Sequence, residues 1–318
     1  MAPQSLRIGT RDSQLAVWQA TLVQNLLKEA GVASELVYIK SEGDVDTVTP
    51  LYELGVQGVF TKTLDAALLN SRIDIAVHSM KDVPTQLAKG IVQAAVLKRA
   101  SYKDIFVFND KDSIKDWQLG NTLLNSPLEV EGTIGTSSIR RIAQWLNRYP
   151  NHKVENLRGN VNTRLRKVTE NNWHGAIFAA AGVERIEVRP ENSIDLDWML
   201  PAPAQGAIMI VAREGDVSAL NACQSFNDES TALCTKIERD FLRTLMGGCS
   251  TPISALAEVK DGSVSFKGNI CSPNGRQRFD INKQSPVNDS VDLGISAAKE
   301  LLDDPAVSEL VRSIRNAK

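Results

Sequence analysis

Histidine, cysteine and aromatic residues are scarce in this chain. Its 318 residues include three His, four Cys and 5% aromatic residues. The cysteines, none of them in a CxxC pair, are Cys223, Cys234, Cys249 and Cys271. A structural zinc site needs about four clustered His or Cys ligands, and a small secreted scaffold is far denser in cysteine. The composition favours neither class and is typical of a protein that keeps its thiols reduced.

Long apolar runs and a dominant sign of charge are also missing. No segment approaches the roughly 18 apolar residues of a membrane-spanning helix. The N-terminus lacks the apolar core of a signal peptide, so we expect a cytoplasmic protein. Lys and Arg number 36 against 38 Asp and Glu, a formal charge of -2. Because there is no overall basic field for nucleic acid, any anionic ligand must be bound by local clusters of cations.

Strand-like and helical segments alternate along most of the chain, which predicts an α/β fold. Leu6–Thr10 is an apolar strand-like run, and Ser13 is placed to cap the helical pattern after it. The same alternation of strand-like and helical segments begins again near Thr133. This favours two similar lobes with mostly parallel sheets covered by helices. Towards the C-terminus, Asp261 and Gly262 lie between two strand-like runs and predict a hairpin. We expect a small C-terminal α+β domain there.

The length of the chain indicates two or three domains rather than one core. Residues 201–206 break the strand–helix rhythm before a further apolar strand. The expected division is residues 1–98 with 207–227 as the first lobe, 103–203 as the second lobe, and 229–318 as the C-terminal domain.

Arginines recur beside the predicted strand ends. They are Arg11, Arg99, Arg140, Arg141, Arg158 and Arg164. The carboxyl ends of strands are where open α/β sheets usually bind ligands. A guanidinium fork matches a carboxylate or phosphate, so a converging set indicates a ligand with several anionic groups. Any one of these residues alone is better explained as a solvated surface charge.

Three further segments could carry chemistry. Small residues at 135–138 open a helix, where an anion is favoured, although a simple N-cap explains Ser138 equally well. Lys81 and Asp82 follow an apolar strand and either pair structurally or place a carboxylate near a developing cation. His78 beside them is expected to be a hydrogen-bonded core residue. Cys249 follows two glycines and is either a nucleophile, with no evident His partner, or an inert thiol.

Together, these segments resemble the hydroxymethylbilane synthases, also called porphobilinogen deaminases, of tetrapyrrole biosynthesis. Each segment alone is weak evidence for the family. Six segments that occur in the family order over nearly the whole chain are very specific evidence for it. The matching segments are residues 7–13, 77–84, 135–141, 157–164, 201–207 and 247–249.

The resemblance implies three domains, of which the first two are similar to type II periplasmic binding proteins. It also implies a dipyrromethane cofactor, built from two substrate units and joined to Cys249 by a thioether, which needs no catalytic His. Such an enzyme adds four porphobilinogen units, loses ammonia each time and releases a linear tetrapyrrole by hydrolysis. Members usually act as monomers, so we expect a monomer with a small-molecule substrate and no nucleic-acid or membrane partner.

The resemblance assigns roles to the site residues as well. Asp82 would hold the pyrrole N–H and stabilise the positive charge that appears when ammonia leaves. The acetate and propionate arms of cofactor and substrate would need many forked cations. Cofactor binding is expected from Ser13, Lys81, Asp82, Ser138, Arg140, Arg141, Arg164 and Cys249. Substrate binding is expected from Arg11, Ser13, Arg99, Arg158 and Arg164.

The sequence departs from the family pattern in two regions. Family members often have a stretch resembling KxGGKGLFxKELE in a loop of the first domain. In this chain Phe60 and Lys62 keep that pattern, whereas Glu53, Val56, Gln57 and Thr63 replace two lysines, a glycine and a glutamate. Elsewhere, Asn162 and Ala204 replace two glycines.

Two other functions compete with the synthase. A type II solute-binding protein would share the two lobes, but an exported one needs a signal peptide, and the third domain would go unexplained. A thiol-dependent transferase acting on another polyanion is the second. Neither should carry a covalent dipyrrole, so the three hypotheses differ in the mass of the purified protein.

Overall fold

The computed structural model describes residues 5–40, 61–115, 117, 131–245 and 251–316. Within these ranges the strands are β1 (Leu6–Thr10), β2 (Ser34–Tyr38), β3 (Ile75–Ser79), β4 (Ile91–Val96), β5 (Asp104–Phe108), β6 (Thr133–Gly135), β7 (Lys153–Glu155), β8 (Gly175–Ala179), β9 (Ser193–Asp195), β10 (Ile208–Arg213), β11 (Ile253–Lys260), β12 (Ser263–Cys271) and β13 (Arg278–Pro286). The helices are α1 (Gln14–Glu29), α2 (Lys62–Leu69), α3 (Ile139–Arg148), α4 (Val161–Glu170), α5 (Ala180–Glu184), α6 (Val217–Gln224), α7 (Glu229–Leu245), α8 (Leu293–Leu302) and α9 (Pro305–Asn316).

The first sheet, with its helices α1, α2 and α6, forms lobe 1. Its strand order is β2-β1-β3-β10-β4. Strand β1 is parallel to β2 and β3, whereas β10 is antiparallel to β3 and β4. Apolar side chains cover both faces, one beneath α1 and α6 and the other beneath α2. The expectation of a mostly parallel sheet is confirmed, with β10 as the one reversed strand of this sheet as described.

The second sheet, with α3, α4 and α5, forms lobe 2 and repeats the plan of lobe 1. Its order is β7-β6-β8-β5-β9, and the reversed strand is β5. The scarce aromatic residues concentrate in one of its cores, where the rings of Phe106 and Trp145 stack with their centroids 5.2 Å apart. Both reversed strands directly follow a crossing between the lobes, which explains why the chain enters the sheet in the opposite direction.

The C-terminal part forms a small α+β unit, domain 3. Strands β11, β12 and β13 are an antiparallel sheet whose inner face packs on α7, α8 and α9. Asp261 (φ 49°) and Gly262 (φ 74°) make the turn between β11 and β12. The predicted hairpin is therefore confirmed, and so is the fold class of two α/β lobes with a small α+β domain.

Two segments connect the lobes, residues 97–103 outward and residues 201–206 back. The N–H of Ala100 donates to the carbonyl of Gly206 at 3.1 Å. Gly206 has φ +87°, and a Cβ there would lie 2.7 Å from the Ser101 oxygen and 2.8 Å from the Ala100 oxygen. Ala204, which replaces a glycine usual in the family pattern, is buried and has φ 62°. Its backbone is therefore in the region that favours glycine.

Some sequence-based expectations fall on residues outside the described ranges. These are Cys249 and the loop positions Glu53, Val56, Gln57 and Phe60. Within the described ranges, no helix has the length and apolar character needed to cross a bilayer.

Candidate active site

Lobe 1 presents four of the expected site residues after two neighbouring strands. Arg11 and Ser13 follow β1, and Lys81 and Asp82 follow β3 in the 3-10 turn Met80–Asp82. Ser13 holds the N-cap position of α1, yet its hydroxyl makes no cap hydrogen bond in the described structure. Lys81 is half-buried and Asp82 is exposed. Because β1 and β3 pair side by side, these four residues lie along one edge of the sheet.

Lobe 2 presents the other expected residues in the same way. Ser138 is the N-cap of α3, again without a side-chain cap bond among the described atoms, and Arg140 and Arg141 lie in the first turn of that helix. Arg158 is buried shortly after β7, and Arg164 lies in the first turn of α4. Nε of Arg164 donates to the Gly159 carbonyl at 2.7 Å. Helix N-termini and guanidiniums therefore converge at this edge, which is the arrangement that binds anions.

A buried carboxylate, Asp104, holds the two adjacent arginines of α3. Its side chain is fully buried, and its oxygens accept from Arg140 Nη1 at 2.7 Å and from Arg141 Nη2 at 2.7 Å. Nε of Arg141 adds a third bond at 3.1 Å. Burial opposes ionisation of Asp104, but the two guanidiniums outweigh it and hold its pKa well below the usual range. Asp104 therefore fixes both forks as charged groups.

Gln205 joins this arginine cluster to lobe 1. Its Nε2 donates to Asp104 Oδ1 at 3.0 Å and to the Tyr102 carbonyl at 2.8 Å. Its Oε1 accepts from Lys81 Nζ at 3.4 Å. A polar chain thus runs from Lys81 of lobe 1, through the returning crossing, to Arg140 and Arg141 of lobe 2. Lys81, Arg140 and Arg141, which were predicted from two separate motifs, are thus joined by one set of contacts.

Burial first, and then neighbouring positive charge, lower the pKa of two cations in this site. Burial, partly offset by Asp82 and reinforced by Arg141, lowers the pKa of Lys81 to about 8. Burial and then the charges of Arg141 and Arg158 lower the pKa of Arg164 to about 10, against the attraction of Asp82. Asp82 of lobe 1 therefore acts on Arg164 of lobe 2 across the cleft. A polyanion that binds between these cations would stabilise their charged forms.

Among the buried nitrogens of this region that have no hydrogen-bond partner in the described structure are Nε of Arg140, a donor in the cluster itself, and Nε2 of His78, a residue 6% exposed at the end of β3. Burial first, and then the charge of Arg11, lower the pKa of His78 to about 4, so its ring is neutral. His78 was predicted to be a hydrogen-bonded core residue. It is buried as predicted, but its Nε2 has no hydrogen-bond partner in the described structure.

Arg99 occupies a different place from the other arginines. It lies after β4 on the outgoing crossing, and its fork pairs with the buried Glu238 of α7 at 2.7 and 2.8 Å. Its Nε donates to the Gln205 carbonyl at 2.8 Å. All three of its side-chain nitrogens are thus engaged with the protein. The expected position near a domain junction agrees with the geometry, whereas these contacts favour a structural role for Arg99 over substrate binding.

The lobes also touch directly, at the starts of α1 and α4. Nδ2 of Asn162, at the start of α4, donates to Oε1 of Gln14, at the start of α1, at 2.8 Å. Arg185, which follows α5, donates to the Gly206 carbonyl at 2.6 Å and lies 5.8 Å from the centroid of the Trp18 ring. The asparagine that replaces a usual glycine therefore makes a contact between lobes that glycine cannot make.

Sequence inspection did not single out Asp104, Gln205, Glu238 or Arg239. Asp104 and Gln205 are recognised only when the fold brings them beside the arginines, because they lie 36 and 64 residues from Arg140 and Arg141, respectively. Glu238 did leave a signal, since it falls on the apolar face of α7 between Cys234 and Leu242, where a charge indicates a buried ion pair.

Comparison with known proteins identifies the family. A family model described as the dipyromethane cofactor binding domain of porphobilinogen deaminase matches residues 6–221, and the model of the C-terminal domain of porphobilinogen deaminase matches residues 232–303. The chain belongs to the porphobilinogen deaminase family. Curated family members extend the match over nearly the full length. The chloroplastic porphobilinogen deaminase of Oryza sativa subsp. japonica is 41% identical over 93% of this chain and 83% of its own. The Acidithiobacillus ferrooxidans porphobilinogen deaminase is 39% identical over 99% of this chain and 100% of its own.

Solved structures of binding proteins are more distant. The VFT2 domain of Bordetella pertussis BvgS is 15% identical, with a TM-score of 0.41 over 72% of this chain and 90% of that domain. The methionine-binding protein MetQ has the same identity and TM-score, over 72% of this chain and 93% of its own. The fold assignment of this family member therefore rests on its own strand orders. Family membership covers both lobes and domain 3, as expected from the six sequence segments.

Proposed function

We propose that the protein is a hydroxymethylbilane synthase, a transferase of tetrapyrrole biosynthesis. It condenses four porphobilinogen units in sequence on a dipyrromethane primer held by Cys249, loses one ammonia per unit, and releases the linear tetrapyrrole by hydrolysis. The observation that supports this most is the chain of contacts Lys81–Gln205–Asp104–Arg140/Arg141, which unites cations of both lobes in one polyanion site.

The residues present fit a dipyrromethane group. Its acetate and propionate arms are carboxylates, and the site offers buried and half-buried cations from both lobes whose pKa values are lowered by burial and by one another. Arg140 keeps one buried donor, Nε, without a partner in the described structure. Ser13 and Ser138 present N-cap hydroxyls that make no cap bond there. A set of forked donors and hydroxyls of this kind suits several carboxylates and no apolar ligand.

When bound, the dipyrromethane supplies the nucleophilic pyrrole carbon onto which substrate units are added. The side chains of this protein hold it and orient the incoming substrate. We assign Lys81, Arg140, Arg141 and Arg164 to the cofactor carboxylates. The three side-chain nitrogens of Arg141 already donate to Asp104 and to the Ile177 carbonyl, so Arg141 would contribute through its charge. Arg11 and Arg158, which flank that group in lobes 1 and 2, are assigned to the substrate carboxylates, with Ser13 and Arg164 shared. Arg99 was predicted to bind substrate. Its contacts with Glu238 and with the Gln205 carbonyl favour a structural role at the domain junction instead.

Asp82 is proposed as the catalytic residue. Its carboxylate is exposed at the end of the Met80–Asp82 turn and acts electrostatically on Lys81 and Arg164. A carboxylate so placed can accept the N–H of a pyrrole and stabilise the positive charge that develops when ammonia leaves. It can also take up the proton that the ring carbon releases after the new bond forms. Both roles need the ionised form of the carboxylate.

The remaining assignments follow from the family and from the sheets. We propose a cytoplasmic monomer that acts on a small molecule, without nucleic-acid or membrane partners. We also propose the domain division 1–98 with 207–227, 103–203, and 229–318. It is supported by the membership of β10 in the first sheet and of β11, β12 and β13 in the third.

The test is turnover of porphobilinogen by the purified full-length chain. The synthase should release about four ammonia molecules per linear tetrapyrrole. In acid the product closes to a cyclic porphyrinogen with loss of water, and added oxidant converts this to a coloured porphyrin that can be quantified by absorbance. A type II binding protein without catalysis would bind porphobilinogen and release no ammonia. Arg140→Gln should reduce the amount of covalent cofactor or raise KM, because it removes a fork from the carboxylate site. Full cofactor and unchanged KM would contradict that assignment.

A further inference from the structure

A buried arginine of domain 3 holds the turn that carries Asp82. Arg239 lies on α7 and is 9% exposed. Its Nη1 donates to the Val83 carbonyl at 2.9 Å and to the Met80 carbonyl at 3.3 Å, and its Nη2 donates to the Pro84 carbonyl at 2.5 Å. The guanidinium thus engages the backbone on both sides of Lys81 and Asp82.

Two further backbone contacts of this turn come from lobe 1 itself. The N–H of Met80 donates to the Ala207 carbonyl at 3.0 Å, and the N–H of Val83 donates to the Met80 carbonyl at 3.1 Å. They define where β3 ends but do not connect the turn to domain 3. Arg239 supplies that connection with a rigid fork, a geometry that a flexible ammonium or a neutral amide cannot reproduce at three carbonyls.

The position of Arg239 on its helix gives this contact a consequence for catalysis. Helix α7 runs on to Leu245, shortly before Cys249, the proposed cofactor attachment point. One turn of helix before Leu245, Phe241 anchors α7 in the core of domain 3. A shift of the turn that carries Asp82 relative to domain 3 would therefore have to break either the carbonyl contacts of Arg239 or the packing of this helix.

We propose that Arg239 is a positioning residue that fixes Asp82 with respect to the domain that carries Cys249. This inference rests on the catalytic role proposed for Asp82. Arg239 touches neither substrate nor cofactor in this scheme, and it acts through the backbone of residues 80–84. A misplacement of about 1 Å at a catalytic group can lower turnover about 100-fold. Loss of the fork should accordingly lower kcat and leave KM almost unchanged.

The test compares Arg239→Gln with the wild-type holoenzyme, with covalent cofactor quantified by intact mass. We expect kcat per cofactor-loaded molecule to fall roughly 10- to 100-fold, with KM within about threefold. Hydrogen exchange at residues 80–84 should accelerate. Arg239→Lys, which keeps the charge without the fork, should give intermediate kcat. If Arg239→Gln fails to fold, Arg239→Lys decides: a kcat within twofold of wild type overturns the proposal.

Arg213→Gln is the matched control. Arg213 also donates to two carbonyls of lobe 1, those of Leu68 at 3.0 Å and Ile73 at 2.5 Å, but at the opposite end of β3 from Asp82. The Arg213→Gln variant should have a lower melting temperature than the wild type, while its kcat stays within twofold of the wild-type value. A fall in kcat equal to that of Arg239→Gln would show that any lost carbonyl contact slows this enzyme, which contradicts positioning.

A double-mutant cycle separates this inference from the role of Asp82. If Arg239 acts through Asp82, adding Arg239→Gln to Asp82→Asn should not slow the residual single-turnover rate further. Multiplicative effects would overturn the positioning role. Wild-type turnover of Asp82→Asn alone would refute the proposed catalytic residue instead. An inactive Asp82→Asn together with a fully active Arg239→Gln would refute only the positioning.

Discussion

Replacing Asp104 with asparagine should destabilise lobe 2 strongly without changing its shape. The amide is isosteric with the carboxylate, but it leaves the charges of Arg140 and Arg141 uncompensated in a site where their side chains are 5% and 7% exposed. Removing one partner of a buried ion pair typically costs about 3–5 kcal/mol. Because two cations lose the same anion, we expect the free energy of unfolding to fall by an amount within that range. For a lobe of about 100 residues, in which 1 kcal/mol corresponds to about 4–8 °C, the melting temperature should drop roughly 12–40 °C.

The pH dependence of this loss follows from the depressed pKa of Asp104. A carboxylate whose pKa is lowered on folding contributes stability that is present above its unfolded pKa, about 3.9, and is lost as pH falls through the folded value. The difference between wild type and Asp104→Asn should therefore be constant from about pH 5 to 8 and shrink below about pH 4. Differential scanning calorimetry over this pH range measures it.

Asp195→Asn is the control for this prediction. Asp195 also contacts two cations, Lys103 at 3.0 Å and Arg189 at 2.6 Å, but its side chain is 32% exposed. Surface pairs of this kind contribute about 0.2–1 kcal/mol, so the melting temperature should change little. If Asp104→Asn melts within 2 °C of Asp195→Asn, the argument that Asp104 neutralises the arginine pair is refuted.

Three further predictions test the site and the crossing. Asp82→Asn should lower turnover by about 100-fold or more with an unchanged melting temperature, since it removes the charge that stabilises the developing cation; near-wild-type porphyrin formation would overturn its role. The Cys249→Ser protein should bind porphobilinogen more weakly as pH rises through about 8, because Lys81 then loses its proton. Calorimetry measures this affinity, and an affinity that does not change between about pH 7 and 9 would contradict the prediction. Gly206→Ala should cost more than about 2 kcal/mol in thermal unfolding, since its methyl group meets two carbonyl oxygens, whereas Gly215→Ala, with φ +80° and open space, should cost about 1 kcal/mol; equal losses would show that φ alone sets the cost.

Much of the fold could be predicted from local pattern. Strand β1 has the predicted bounds, the Asp261-Gly262 hairpin is present, and the strand–helix alternation that begins again near Thr133 marks the first of four parallel strands in lobe 2. These features depend on apolar periodicity and turn chemistry, which short segments encode. The reversal of β5 and β10 could not be predicted in the same way, because it follows from where the chain crosses between lobes.

The site was predictable in part for a similar reason. The residues proposed to bind the ligand stand in recognisable segments at strand ends, so Arg11, Lys81, Arg140 and Arg164 could be named as candidates. The residues that hold them could not, since Asp104 and Arg239 act through contacts that only the folded chain brings together. Arg99 shows the converse: its place beside a strand end resembled that of the ligand-facing arginines, but a buried partner on α7 takes up its fork.

The most direct test of the central claim is the intact mass of the purified protein. If Cys249 carries the dipyrromethane primer, wild type should exceed its sequence mass by two linked pyrrole units, and Cys249→Ser should have the sequence mass and no turnover. The same Cys→Ser change at Cys223, Cys234 or Cys271, which are buried thiols, should leave the added mass in place. A wild-type protein of unmodified mass that still converts porphobilinogen to the tetrapyrrole would contradict the covalent mechanism.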